Sequence, residues 1–79
     1  MRKFRPLKPP TLAHPIVRRM FDEMNHQQIG ILDMAKRSGV NKNTLNDWRT
    51  RTTPSVANLA ACLTVLGFEL KAVRMRDDE

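Results

Sequence analysis

The sequence predicts a mainly α domain of four short helices followed by one C-terminal β-strand. Three observations carry this expectation. Apolar residues recur at three- and four-residue steps in two separate stretches, 16–24 and 56–66. Gly39 and Gly67 stand just past apolar helical stretches, where a left-handed residue can end a helix. Beyond Gly67 the pattern changes to alternation, with Phe68, Leu70 and Ala72 on one side of an extended chain.

Residues 1–10 hold three prolines and four basic groups, and Pro9-Pro10 excludes helix there. This segment is expected to be an extended, mobile arm. From Pro15 onward Ile16, Val17, Met20, Phe21 and Met24 form one stripe of a first helix, about 15–25. His14 is its expected N-cap, or Thr11 slightly earlier, and Pro15 suits the first turn.

Gly30 begins a second helix, with Ile29 and Met34 placed as a hydrophobic staple and Asp33 favoured by the dipole at the third helical position. Its inner side is expected to be Leu32, Met34 and Ala35, and Gly39 ends it. Asn41 caps a third helix, about 42–50, which has only two large apolar residues, Leu45 and Trp48. The rest of that helix is almost entirely polar, the profile of an element anchored by one edge. Thr53 and Pro54 read as the cap and first residue of a fourth helix, buried through Val56, Leu59, Ala60, Leu63 and Leu66. The expected strand covers 68–75, and 77–79 form a frayed acidic end. The organisation is thus a basic arm at 1–10, a helical domain at 11–67, and a dimerisation strand with its acidic tail at 68–79.

Seventy-nine residues make one domain. A chain of this size buries only about 60% of the surface it would expose unfolded, so oligomerisation is a ready source of extra stability. The single cysteine, Cys62, excludes an internal disulfide and fits a reducing compartment. No signal-like apolar run follows the basic start, and nowhere do about 18 apolar residues run together. These points lead to an expected cytoplasmic, nucleoid-associated location.

The net charge is +6, and residues 1–20 carry six basic side chains, Arg2, Lys3, Arg5, Lys8, Arg18 and Arg19, with no acid. From 21 to 50, and again from 51 to 79, acids and bases balance. A localised basic segment suits a polyanion through phosphate contacts and counterion release. A membrane surface would need an amphipathic apolar face, which the segment lacks. A basic terminus that serves only solubility is the bland alternative.

Two short helices joined at Gly39-Val40, the second polar on one side, match a helix-turn-helix. Ala35 is small where the helices cross, and Gly39 permits positive φ in the tight turn. Val40 plugs the angle between them, and Leu45 and Trp48 pin the outer helix. Lys42, Asn43, Asn46 and Asp47 are left pointing away.

With these residues in this order, the chain resembles the Cro/C1-type (Xre) helix-turn-helix family of phage repressors and bacterial regulators over about residues 15–70. The best-matched stretch runs from Leu32 to Trp48, supported by 54–59 and 66–70. The resemblance implies a compact four-helix, lambda-repressor-like domain whose third helix enters the major groove of DNA. It implies base contacts from Lys42, Asn43, Asn46 and Asp47, and phosphate contacts from Arg49, Arg51, Thr52 and Thr53. The chain departs from the family where many members have glycine just after the recognition helix, since it reads Arg49-Thr50-Arg51. It also offers a strand-like tail where many members have a fifth helix.

Side-chain chemistry agrees with those roles. Asparagine can bond adenine with two hydrogen bonds, and Lys42 can take guanine or a phosphate. Asp47 can accept from a cytosine amino group, or pair with Arg51 four residues on. Trp48 reads as core. His14 and His26 lack further ligands at metal spacing, Cys62 has no partner base, and Ser38 and Ser55 belong to no visible triad. No enzyme, metal or cofactor is expected.

The leading expectation is a transcriptional regulator that binds a palindromic operator as a homodimer. Its arm residues Arg2, Lys3, Arg5 and Lys8 would clamp the DNA, and Phe68, Leu70 and Ala72 would pair across the two-fold axis. The alternative is an antitoxin-like protein that binds its own promoter and neutralises a protein partner. RNA binding through the arm alone would leave the third helix unexplained.

Overall fold

The four expected helices form, three of them behind a side-chain cap. In the computed structural model, which describes residues 4–8 and 13–75, they are α1 (Pro15–Gln27), α2 (Ile31–Ser38), α3 (Lys42–Asp47) and α4 (Val56–Val65). Arg2, Lys3, the alternative cap Thr11 and the expected acidic end at 77–79 lie outside the described residues.

Three helices open on a side-chain cap. His14 Nδ1 accepts from the Ile16 amide at 3.1 Å, Asn41 Oδ1 from Asn43 at 2.7 Å, and Ser55 Oγ from Asn58 at 3.2 Å. The fourth, α2, starts at Gly30 without a side-chain cap, but the staple residues Ile29 and Met34 are both buried beneath it. Gly39 ends α2 at φ 83°, its amide bonding the Ala35 carbonyl at 3.0 Å. The chain then turns directly into α3.

One core unites the four helices. Val17, Met20, Phe21 and Met24 come from α1 and Met34 from α2. Leu45 and Trp48 come from α3 and the turn after it, and Leu59, Cys62, Leu63 and Leu66 from α4 and its end. α2 packs against both α3 and α4, and α1 against α4. The buried, unpaired Cys62 belongs to this core, and burial pushes its thiol pKa up while a hydrogen bond with Ser38 pulls the other way.

Several boundaries differ from expectation, each for a physical reason. α1 continues through Asn25 and His26 to Gln27, because the Asn25 amide is engaged elsewhere and does not compete for its own backbone. The helix closes at Gln28, φ 58°, where the amides of Gln28 and Ile29 bond the carbonyls of Asn25 and Met24 at 3.1 and 2.8 Å. α3 stops at Asp47 rather than about 50. The amides of Thr50, Arg51 and Thr52 all converge on the Asp47 carbonyl, at 3.1, 2.8 and 3.0 Å, and turn the chain away.

The cap of α4 is Ser55, not Thr53, because the Ser55 hydroxyl reaches the third amide of the helix. Val56, thereby the first helical residue, is 74% exposed and outside the stripe. Leu32 is also turned outward, 58% exposed, because Ile31, Met34 and Ala35 occupy the inner side of α2.

No strand is present among the described residues, which corrects the expected strand at 68–75. Its first residue is committed to closing α4. Gly67, φ 91°, and Phe68 bond the carbonyls of Thr64 and Leu63 at 3.1 and 2.8 Å. Phe68 lies half-buried with the Arg19 guanidinium 5.3 Å above its ring centre. The residues after it have no neighbouring strand to supply a ladder. Gln27 reinforces this corner by donating to the Leu66 carbonyl at 2.9 Å.

Candidate nucleic-acid interface

The outer side of α3 follows from its short apolar edge. With Leu45 fully buried and Trp48 3% exposed, Lys42, Asn43 and Asn46 must face solvent, and they do. Asp47 is half-buried. Its side chain is not among the described ion pairs, Arg19–Glu23 and Asp33–Arg37, so it does not pair with Arg51. It is the Asp47 backbone carbonyl that takes the Arg51 amide.

The turn after α3 builds a concave feature that the sequence alone did not reveal. A cleft of about 300 Å³ lies between this turn and the start of α1, lined by His14, Val17, Trp48, Arg49, Arg51, Thr52 and Thr53 among others. Among the described residues no carboxylate lines it. Arg49 Nη1 approaches Asn46 Oδ1 at a long 3.4 Å, and Arg49 Nε is buried with no hydrogen-bond partner. Arg49 and Arg51 bring two guanidinium groups to this cleft, and a charged guanidinium is matched best by an oxyanion. His14 adds a ring whose Nδ1 is held by the Ile16 amide, which leaves Nε2 as the donor in the neutral form.

The four residues expected to hold phosphate, Arg49, Arg51, Thr52 and Thr53, therefore share one cleft, directly beyond the polar side of α3. His14 joins them from a distant part of the chain. Within the sequence His14 stands only as a cap, and no local signal ties it to the turn. A second, more open hollow follows the α2–α3 seam beside Leu32, Gly39, Val40 and Lys42.

The arm is described over residues 4–8. Over its described part it is tied to α1: the Leu7 amide donates to Asn25 Oδ1 at 2.7 Å, and Asn25 Nδ2 donates to the Leu7 carbonyl at 2.8 Å. The Leu7 side chain packs against the core, while Arg5 and Lys8 are exposed. Asn25 is near the opposite end of α1 from His14, about 16 Å away at the helical rise of 1.5 Å per residue.

Of the residues expected at a dimer contact, Phe68 and Leu70 are half-buried against their own chain and Ala72 is exposed. Val73 and Met75 beyond them are 74% and 86% exposed. Among the described residues no three His, Cys, Asp or Glu side chains gather as metal ligands, and no helix is long and apolar enough to cross a membrane. Comparison with protein-family models, curated proteins and solved structures returns no match for this chain.

Proposed function

We propose that the chain binds double-stranded DNA as a transcriptional regulator, with α3 in the major groove. The observation that carries this reading is the continuity of two surfaces. The exposed Lys42, Asn43 and Asn46 lead in the chain to a cleft lined by two arginines, a histidine and hydroxyls, and Arg49 of that cleft reaches back to Asn46 Oδ1 at 3.4 Å. The first surface offers hydrogen bonds to base edges, and the second offers charge-assisted bonds to the sugar-phosphate backbone. Such a protein would reside on the nucleoid, in the cytoplasm.

The functional unit in this proposal is a homodimer on a palindromic site, its two recognition helices about 34 Å apart. The exposed Val73 and Met75 at the end of the described tail are the apolar groups a second copy would cover. Sedimentation of the free protein tests that part, with a monomer at high micromolar concentration as the refuting result.

Selection of bound fragments from a random duplex pool, followed by titration of variants, tests DNA reading itself. Asn43→Ala should weaken binding to the selected site by about 1–3 kcal/mol and relax preference at single base pairs. Arg51→Ala should weaken binding to all duplexes alike. A selected site that Asn43→Ala and Asn46→Ala both bind as tightly as the original chain would remove α3 from the interface.

A further inference from the structure

The link between Asn25 and Leu7 is the least expected polar contact in the fold. One side-chain amide takes up both the donor and the acceptor of a single backbone residue, at 2.7 and 2.8 Å, across eighteen positions of sequence. It does for Leu7 what a neighbouring strand would do, and the packing of Leu7 on the core secures it. The charges of the arm are not consumed by this docking. Arg5 and Lys8 stay exposed, and neither belongs to an ion pair among the described residues. Docking therefore holds the backbone and leaves the cations available.

The docked segment and the cleft occupy opposite ends of α1, about 16 Å apart. A duplex carries one charge per about 1.7 Å of axis, so a stretch of this length bears about nine phosphates. A duplex seated at the cleft and lying along α1 would bring charge to both ends of the helix. A free arm would have to be ordered on binding, whereas an arm already fixed at Leu7 has met much of that cost during folding.

We infer that Asn25 is a positioning residue for polyanion binding: its amide fixes the arm at Leu7, so that Arg5 and Lys8 are presented, already ordered, as a second anchor alongside the cleft. The inference rests on the nucleic-acid reading above. It replaces the expectation of a mobile clamp with a pre-set one, and it assigns a role to a residue outside the helix-turn-helix.

The test uses the full chain and a short mixed-sequence DNA duplex, with affinity measured across a salt series. Arg5→Gln/Lys8→Gln should lower the slope of log affinity against log salt by about 1.8, two phosphate contacts at about 0.9 each. Asn25→Ala should lower the slope in the same direction and cut affinity about tenfold, the scale of re-ordering one backbone residue. Combining it with the arm variant should cost little more than the arm variant alone, whereas adding Arg51→Gln should weaken binding further.

Hydrogen exchange of the Leu7 amide in the free protein reads the latch without DNA, with protection in the original chain and its loss in Asn25→Ala. An unprotected Leu7 amide in the original chain overturns the inference. So does an Asn25→Ala protein that keeps its salt slope, or binds more tightly, while Arg51→Gln still weakens binding; in that event the DNA reading stands. A chain that binds no duplex at all overturns both.

Discussion

Leu45→Ala is the substitution that most directly tests how the outer helix is held. α3 has six residues, too few to be stable alone, and its attachment depends on Leu45 and on Trp48 just beyond it. Leu45 is fully buried, so truncation removes three carbons from the core and forfeits about 2.4 kcal/mol of transfer free energy. The cavity left behind raises the cost to about 3–4 kcal/mol. At about 0.05–0.15 kcal/mol per residue, a domain of this size has about 4–12 kcal/mol in total. The variant should therefore lose a large part of its stability and melt about 15–30 °C lower, at about 4–8 °C per kcal/mol. Leu32→Ala is the control: the same chemical change at a residue 58% exposed should cost under about 0.5 kcal/mol. Urea unfolding followed by far-ultraviolet circular dichroism measures both. Equal costs for the two, or a loss below about 1.5 kcal/mol for Leu45→Ala, would show that α3 is not pinned by this side chain.

Two further outcomes follow from the helix ends. Ser55→Ala should cost about 1 kcal/mol in the same assay while Thr53→Ala leaves stability nearly unchanged, and the reverse order would return the cap of α4 to Thr53. Gln28→Gly should raise stability by about 1 kcal/mol, because φ 58° burdens any residue with a Cβ, and a lower melting temperature would refute the left-handed closure of α1.

The parts of this fold that could be read in the chain are those written locally. His14 before Pro15, Asn41 before a polar helix, and Gly39 and Gly67 after apolar runs each act within a few residues, and each occupies its expected place. Degenerate local signals account for several of the differences. Thr53 and Ser55 are both capping residues, and only the position of the Asn58 amide separates them. Leu32 is one step off the inner side of α2, where hydrophobicity alone does not give the phase of a short helix, and Val56 keeps the spacing of its stripe but stands at the exposed first position of α4. The alternation after Gly67 has strand-like form, but a ladder needs a second strand and the described residues offer none. Long-range features were least legible. The side of α3 was accessible from its spacing, whereas the cleft joins His14 to residues 49–53, and the latch joins Asn25 to Leu7. Nothing near any of these positions in sequence announces the partner.

Trp48 has a consequence of its own. The chain contains one tryptophan and no tyrosine, so its near-ultraviolet emission comes from a single indole. That indole is 3% exposed and anchored in the core on one side, yet on the other it lines the cleft beside Arg49 and Thr52. It should emit at short wavelength in the folded chain and shift to the red on unfolding. An anion or a DNA phosphate seated against the arginines would alter its field without displacing it from the core. The protein thus carries an intrinsic optical reporter at the junction of scaffold and candidate site, able to register occupancy as a change in intensity and unfolding as a change in colour, with no label attached.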